Sequence, residues 1–204
     1  MLYYLGKFIF ILLFKMFFCV KAYGSKDFPK KGPVIIATNH ASFLDPILVG
    51  ISLPRQVYFI ARNSLFRVKI LGNILPLVNA LPLKREGIDV SAFRMVLDKL
   101  AEGRVVLIFP EGTRAKGLDL QKPRYGIGFL QEMSGAKIVP CYIKGSRQAL
   151  PRGAILPRFK RISVYYGKPL SLESKDFHGT KKERYMHIAE EAMLAISELK
   201  KNAD

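Results

Sequence analysis

Short, almost wholly apolar runs recur along this chain, separated by stretches with helical spacing. Residues 34–38 read VIIAT and residues 105–109 read VVLIF. A β-branched apolar run this short, bounded by turn residues, has no polar face to offer water, so it reads as a strand buried on both faces. Residues 57–61, 137–143 and 162–166 are further strand candidates. Helical spacing appears at residues 47–53, closed by Pro54, and at 125–131. It is clearest at 89–101, where Asp89 can cap a stripe of Val90, Phe93, Val96, Leu97 and Leu100 and Gly103 suits the exit. Residues 182–200 place Tyr185, Ile188, Ala189, Ala192, Ile196 and Leu199 inward. Residues 65–83 are apolar but broken by Gly72, Pro76 and Pro82, which predicts a short helix followed by an extended stretch. Strands alternating with helices predict an α/β fold: a single domain with a mostly buried sheet flanked by helices. The length of 204 residues fits one domain, and no repeat or low-complexity linker divides it.

The N-terminal 24 residues stand apart. They are crowded with Phe, Leu and Ile, and the first acid is Asp27, yet Lys7, Lys15 and Lys21 interrupt the apolar run. A cleaved signal peptide needs an unbroken apolar core and small residues at the cut, and Lys15 breaks the first. A spanning helix needs roughly 20 apolar residues, and a lysine in mid-segment is costly in hydrocarbon. At about 100° per residue the three lysines fall within an arc of about 120°, with Phe8, Phe10, Leu12, Leu13 and Phe17 mostly opposite. The pattern predicts an amphipathic helix over 1–24 lying in the headgroup plane, followed by a domain over 25–204. A core helix of the domain is the competing reading.

Charge narrows the partners. Lys and Arg number 33 against 16 for Asp and Glu, a formal net charge of +17. Such a surface attracts polyanions: nucleic acid, an anionic membrane or a phosphate-bearing substrate. The basic residues are scattered rather than striped and no nucleic-acid module is visible, which leaves membrane lipids and phosphates. The two cysteines, Cys19 and Cys141, lack metal-ligand spacing and make no disulfide framework, so no metal site is expected and a reducing, cytosolic setting fits.

Two constellations carry chemistry. Asn39-His40-Ala41-Ser42-Phe43-Leu44-Asp45-Pro46 follows the run 34–38 directly, and sites of α/β proteins gather where strands end. Five residues on one helix would set His40 and Asp45 about 140° apart. The reading is therefore a loop histidine and an aspartate at a helix start, with Pro46 favouring that start. Asp45 can then fix the tautomer of His40 and leave its other nitrogen as a base. Standing alone, this spacing is better read as a surface histidine beside a helix-capping aspartate. The second constellation, Phe109-Pro110-Glu111-Gly112-Thr113-Arg114, ends the run 105–109. Gly112 permits close backbone approach, Arg114 can grip phosphate through its planar fork, and Glu111 can orient that arginine or meet the substrate. Arg85, after the broken apolar stretch, is a further phosphate candidate, and residues 139–145 read as a strand with a shaped exit.

In order along the chain, NHxSxxD, a hydrophobic block closed by Arg85, FPEGTR and the VP segment from Val139 resemble the bacterial 1-acyl-glycerol-3-phosphate acyltransferases (lysophosphatidic acid acyltransferases) and their relatives. The resemblance covers roughly residues 30–150. The first and third blocks match closely. The second is looser, with Arg62 where the family shows a lysine and no proline near Lys69. The resemblance implies that His40 is the general base, that Asp45 orients it, and that Arg114 and Arg85 meet the glycerophosphate in a pocket shaped by Glu111, Gly112 and Thr113. It implies acyl transfer from acyl-CoA or acyl carrier protein, a cosubstrate rather than a cofactor, to lysophosphatidic acid, giving phosphatidic acid. The enzyme would act on membrane lipids at the cytoplasmic face of the cell membrane, as a peripheral or monotopic protein. Glycerol 3-phosphate or another lyso-lipid is the alternative acceptor. A hydrolase using the same pair on water and a non-enzymatic binder of anionic membranes are the rivals from other classes.

Overall fold

The computed structural model of the chain describes residues 17–83, 90–115, 117, 119–154, 156–172 and 179–203. Seven strands form one sheet: β1 (Lys21–Tyr23), β2 (Val34–Thr38), β3 (Val57–Arg62), β4 (Ala80–Leu83), β5 (Val105–Ile108), β6 (Lys137–Lys144) and β7 (Ser163–Tyr166). Their spatial order is β1-β7-β6-β2-β5-β3-β4. Every pairing is parallel except β6 with β7. The helices are α1 (Asp45–Ser52), α2 (Asn63–Phe66), α3 (Lys69–Leu77), α4 (Val90–Ala101), α5 (Gly126–Ser134), α6 (Ser146–Ala149) and α7 (Lys181–Ala203).

The expected α/β architecture with a buried sheet is the observed one. Strand β2 is buried at all five positions because it lies between β5 and β6 and is covered on both faces. Alternation of side chains across a strand splits the core in two. Val34, Ile36, Leu107 and Val139 face Leu48 and Val49 of α1 and Leu53 just after it, with Phe28 and Tyr166 in the same cluster. Ile35, Ala37, Val106, Ile108 and Ile138 face Val96 and Leu100 of α4, Ile127 and Leu130 of α5, and Ile188, Ala192 and Ile196 of α7.

Several boundaries differ from the sequence reading. Of the segment expected as a helix over 1–24, residues 1–16 lie outside the described residues. Phe17 and Phe18 are helical, but residues 21–23 are strand β1. The reason is backbone pairing: Lys21 N–H donates to the Ile162 carbonyl at 3.0 Å, and Ile162 N–H to that of Phe18 at 3.2 Å. Val90, expected on the inner stripe of α4, is exposed, and Ala92 is buried instead; Asp89, its expected cap, lies outside the described residues. Gly103 does form the exit, at φ 70°, with Arg104 N–H reaching back to the Lys99 carbonyl at 3.0 Å. Such a left-handed exit suits glycine. The broken stretch resolves into α2, α3 and β4, with Pro76 inside α3. Both cysteines are free, and Cys141 is buried. Burial pushes its thiol up to about 12, so it remains protonated and unreactive. No described helix is long and apolar enough to cross a membrane.

Helices α5 and α7 touch through backbone. A Cβ added at Gly128 would lie 2.0 Å from the Tyr185 carbonyl oxygen. Gly128→Ala therefore forces the two helices apart and should cost about 1–3 kcal/mol or more in urea unfolding. Gly117→Ala, whose methyl would meet nothing closer than 3.9 Å, should stay near neutral.

Candidate active site

The site assembles from strand register. Ala37 of β2 pairs with Ile108 of β5 and Thr38 pairs with Cys141 of β6. Carrying the first register three residues onward sets His40 beside Glu111. Carrying the second onward sets Asn39 and His40 beside Tyr142 and Ile143. Hydrogen bonds occupy both extensions. His40 N–H donates to Glu111 Oε1 at 3.1 Å. The buried Asn39 accepts from Ile143 N–H at 2.8 Å and donates to the Ile143 carbonyl at 3.1 Å. The two motif loops thus meet at the carboxyl edge of the sheet because their strands are neighbours.

His40 and Asp45 are brought together as the spacing implied. His40 Nδ1 lies 2.9 Å from Asp45 Oδ2. That oxygen also accepts the Ala41 and Ser42 N–H groups at 2.7 and 2.8 Å. Asp45 is fully buried at the first turn of α1, and three donors offset the cost of removing its charge from water. A carboxylate only accepts, so Nδ1 carries the hydrogen and Nε2 the lone pair. The imidazole stacks on Phe109 with centroids 3.8 Å apart, which fixes its plane.

Ser42 is buried. Its Oγ donates to the Leu150 carbonyl at 2.9 Å and accepts from Leu44 N–H at 3.3 Å, so it braces the loop. Backbone amides at the histidine, the natural first guess for oxyanion donors, are committed elsewhere: residue 40 to Glu111, and residues 41 and 42 to Asp45.

Glu111 is placed against the histidine loop. It is 3% exposed, and its second oxygen accepts Gln121 N–H at 3.2 Å. It ties the histidine loop to the segment after FPEGTR and also lines the cavity beside His40. Burial raises its pKa, while the N–H bonds from His40 and Gln121 pull the other way. Gly112 sits at φ 72° with the Arg124 side chain 2.9 Å from where a Cβ would be; Thr113 is exposed.

Arg114 is half-buried, with its guanidinium 3.7 Å above the Phe43 ring. Among the described residues its Nη1 is buried without a hydrogen-bond partner. Burial lowers its pKa, and the like charges of Arg152 and Arg62 lower it further. An arginine stays protonated under such pressure, so the three cations form a cluster in want of an anion. Arg152 escaped the sequence reading because it lies far from both motifs. Arg85 lies outside the described residues. A cavity of about 430 Å³ opens beside His40, lined by Leu120, Tyr142, Lys144 and Arg147 among others; the three arginines are not among its lining residues.

A buried carboxylate aligning an imidazole at the carboxyl edge of a parallel sheet is the arrangement of an α/β enzyme with a general base. The acyltransferase family model matches residues 19–144, and the chain belongs to that family. The 1-acyl-sn-glycerol-3-phosphate acyltransferase of Bacillus subtilis is 31% identical over 187 residues, 91% of this chain and 90% of that protein. The protein of the same name from Borreliella burgdorferi is 31% identical over 119 residues, 57% of this chain; the match spans about half, 48%, of that relative. In fold, the chain resembles the crystal structure of the 1-acyl-sn-glycerophosphate (LPA) acyltransferase PlsC from Thermotoga maritima. The TM-score is 0.75 at 24% identity, covering 98% of this chain and 78% of that one.

The Glu111 brace is testable. Glutamine offers one acceptor where Glu111 offers two, so Glu111→Gln should cost about 1–3 kcal/mol in denaturant unfolding. A carboxyl whose pKa is raised in the fold binds more protons folded than unfolded, so its contribution falls as pH rises. The margin of wild type over the variant should be largest below the ordinary carboxylate range and shrink as pH rises through the raised value.

Proposed function

We propose that this acyltransferase moves a fatty acyl group from a thioester, acyl-CoA or acyl carrier protein, onto the free hydroxyl of 1-acyl-glycerol 3-phosphate, giving phosphatidic acid for phospholipid synthesis. The observation that carries the reading is the 2.9 Å contact of His40 Nδ1 with buried Asp45, near Arg114, whose Nη1 is buried without a hydrogen-bond partner among the described residues. The names of its relatives support the acceptor.

His40 Nε2 takes the hydroxyl proton as the oxygen attacks the thioester carbonyl. A tetrahedral oxyanion forms, the carbon–sulfur bond breaks, and the proton passes from His40 to the departing thiolate. Asp45 holds the imidazole in the required tautomer and stabilises its charged form. Ser42 keeps its hydroxyl on the loop, so the route is direct transfer without an acyl-enzyme. Arg114, flanked by Arg62 and Arg152, takes the acceptor phosphate, with Arg85 in the role that the family motif gives it. The cavity beside His40 is the space we assign to the thioester donor. Both lipids partition into a bilayer, which places the enzyme peripherally on the cytoplasmic face of the membrane, where proximity lowers the entropic cost of reaction.

Acyl transfer to lysophosphatidic acid, followed as phosphatidic acid with either donor, tests this directly. His40→Ala should lower kcat by about 10²–10⁴ or more. A folded His40→Ala protein with wild-type turnover would remove the histidine from the chemistry. No product from wild type with either donor would count against the acceptor assignment. Arg114→Ala should raise the KM for the acceptor about ten- to a hundredfold, the worth of a charge-assisted hydrogen bond, with a smaller change in kcat.

A further inference from the structure

Neither residues 1–26 nor residues 133–172 contain an Asp or Glu. The fold puts the described end of the first, from Phe17 onward, beside the second. Strand β1 pairs with β7 from Lys21↔Ser163 to Tyr23↔Tyr165. Phe17 stacks on Phe159 with centroids 5.3 Å apart, and Tyr23 on Tyr165 at 4.8 Å. Between β6 and β7 the chain makes an excursion over residues 150–161 that carries Arg152, Arg158, Lys160 and Arg161, all exposed. Among these cations stand Leu156 and Phe159, 79% and 73% exposed, the two most exposed large apolar side chains among the described residues.

We infer that this excursion is a membrane-docking surface: Leu156 and Phe159 enter the headgroup–acyl boundary of an anionic bilayer while Arg158, Lys160 and Arg161 bind its phosphates. Leucine and phenylalanine gain nothing from a polyphosphate in water, but they gain hydrophobic burial in lipid, and the basic residues add attraction to anionic headgroups. Exposed Tyr23 and its stacked partner Tyr165 extend the face with rings suited to the interface. The inference rests on the reading that the enzyme works at a membrane, and it names the face that meets the lipid.

Topology places this face at the catalytic edge. The excursion leaves the end of β6, and Lys144 pairs with Ser163 where β7 begins. Its start is bound to the histidine loop through Ser42 Oγ and the Leu150 carbonyl, 2.9 Å apart. Arg158 N–H closes it onto the Ala149 carbonyl at 2.7 Å. Docking there brings the bilayer surface to the edge of the sheet that carries His40.

The sequence has no tryptophan, so one introduced residue reports its own surroundings. Phe159→Trp and Leu156→Trp in the full chain are mixed with vesicles of phosphatidylcholine, with and without phosphatidylglycerol. Leu194→Trp, on the exposed side of α7, is the control. Circular dichroism checks that each variant is folded. The expected result is sedimentation with the phosphatidylglycerol vesicles, a blue shift at positions 156 and 159 with quenching by brominated acyl chains, and no shift at 194. Arg158→Gln/Lys160→Gln/Arg161→Gln should weaken that partitioning about a hundredfold. Sedimentation with positions 156 and 159 still solvent-like would overturn the docking face alone. Failure to sediment with any vesicle would overturn it together with the membrane reading. A blue shift without vesicles that grows with protein concentration would assign the face to a second copy of the chain.

Discussion

Everything at the catalytic edge hangs on one buried carboxylate. Asp45 has no exposed surface, and a charge in that position persists only because hydrogen bonds replace its water. Three donors do so on a single oxygen: the imidazole and the amides of residues 41 and 42. Satisfying that oxygen therefore dictates the course of the loop from strand to helix, and that course presents the histidine. The requirement that holds the fold together locally and the requirement for a correctly protonated base are met by the same bonds.

Around that centre, rigidity comes from parallel pairing. Because β2 lies between β5 and β6, each neighbour contributes a clamp on the residues that follow it. Glu111 comes from the β5 side and the Ile143 backbone from the β6 side. The base is thus held by side chain, backbone and ring stacking at once, before any substrate arrives. Charge is organised in the opposite way. Burial and the like charges of Arg152 and Arg62 disfavour the charge of Arg114, while Asp45 favours it; an anion there would add to that favourable side. The protein side of the site is preorganised for the base and left in electrostatic tension for the ligand.

Much of this was legible in the sequence, and the limits have physical causes. Apolar runs of fixed period gave β2, β5 and β6, and the spacing of His40 and Asp45 required a loop followed by a helix start. Glu111 was legible as a pocket residue, and it lines the cavity beside His40, but a motif shows proximity to chemistry and not direction; only the β2–β5 register reveals that it also accepts from a backbone amide. The role of Asn39 depends on a contact 104 residues away, and that of Arg152 on its approach to Arg114, 38 residues before it, neither of which a local pattern encodes. Strand β1 was hidden for a different reason. Its three residues, Lys21, Ala22 and Tyr23, are exposed and owe their conformation to the edge of β7 rather than to any preference of their own.

The placement of β2 has a consequence for how the enzyme comes into being. The strand that leads into the histidine is made well before both of its neighbours, and Asn39 waits for a partner 104 residues downstream. Pairing of such distant segments is slow, because a long loop must close before any contact rewards it. During synthesis the apolar strand at 34–38 is therefore exposed until β5 and β6 emerge, and the base is unaligned until then. The centre of the sheet, the most protected part of the finished protein, thus waits on chain made long after it.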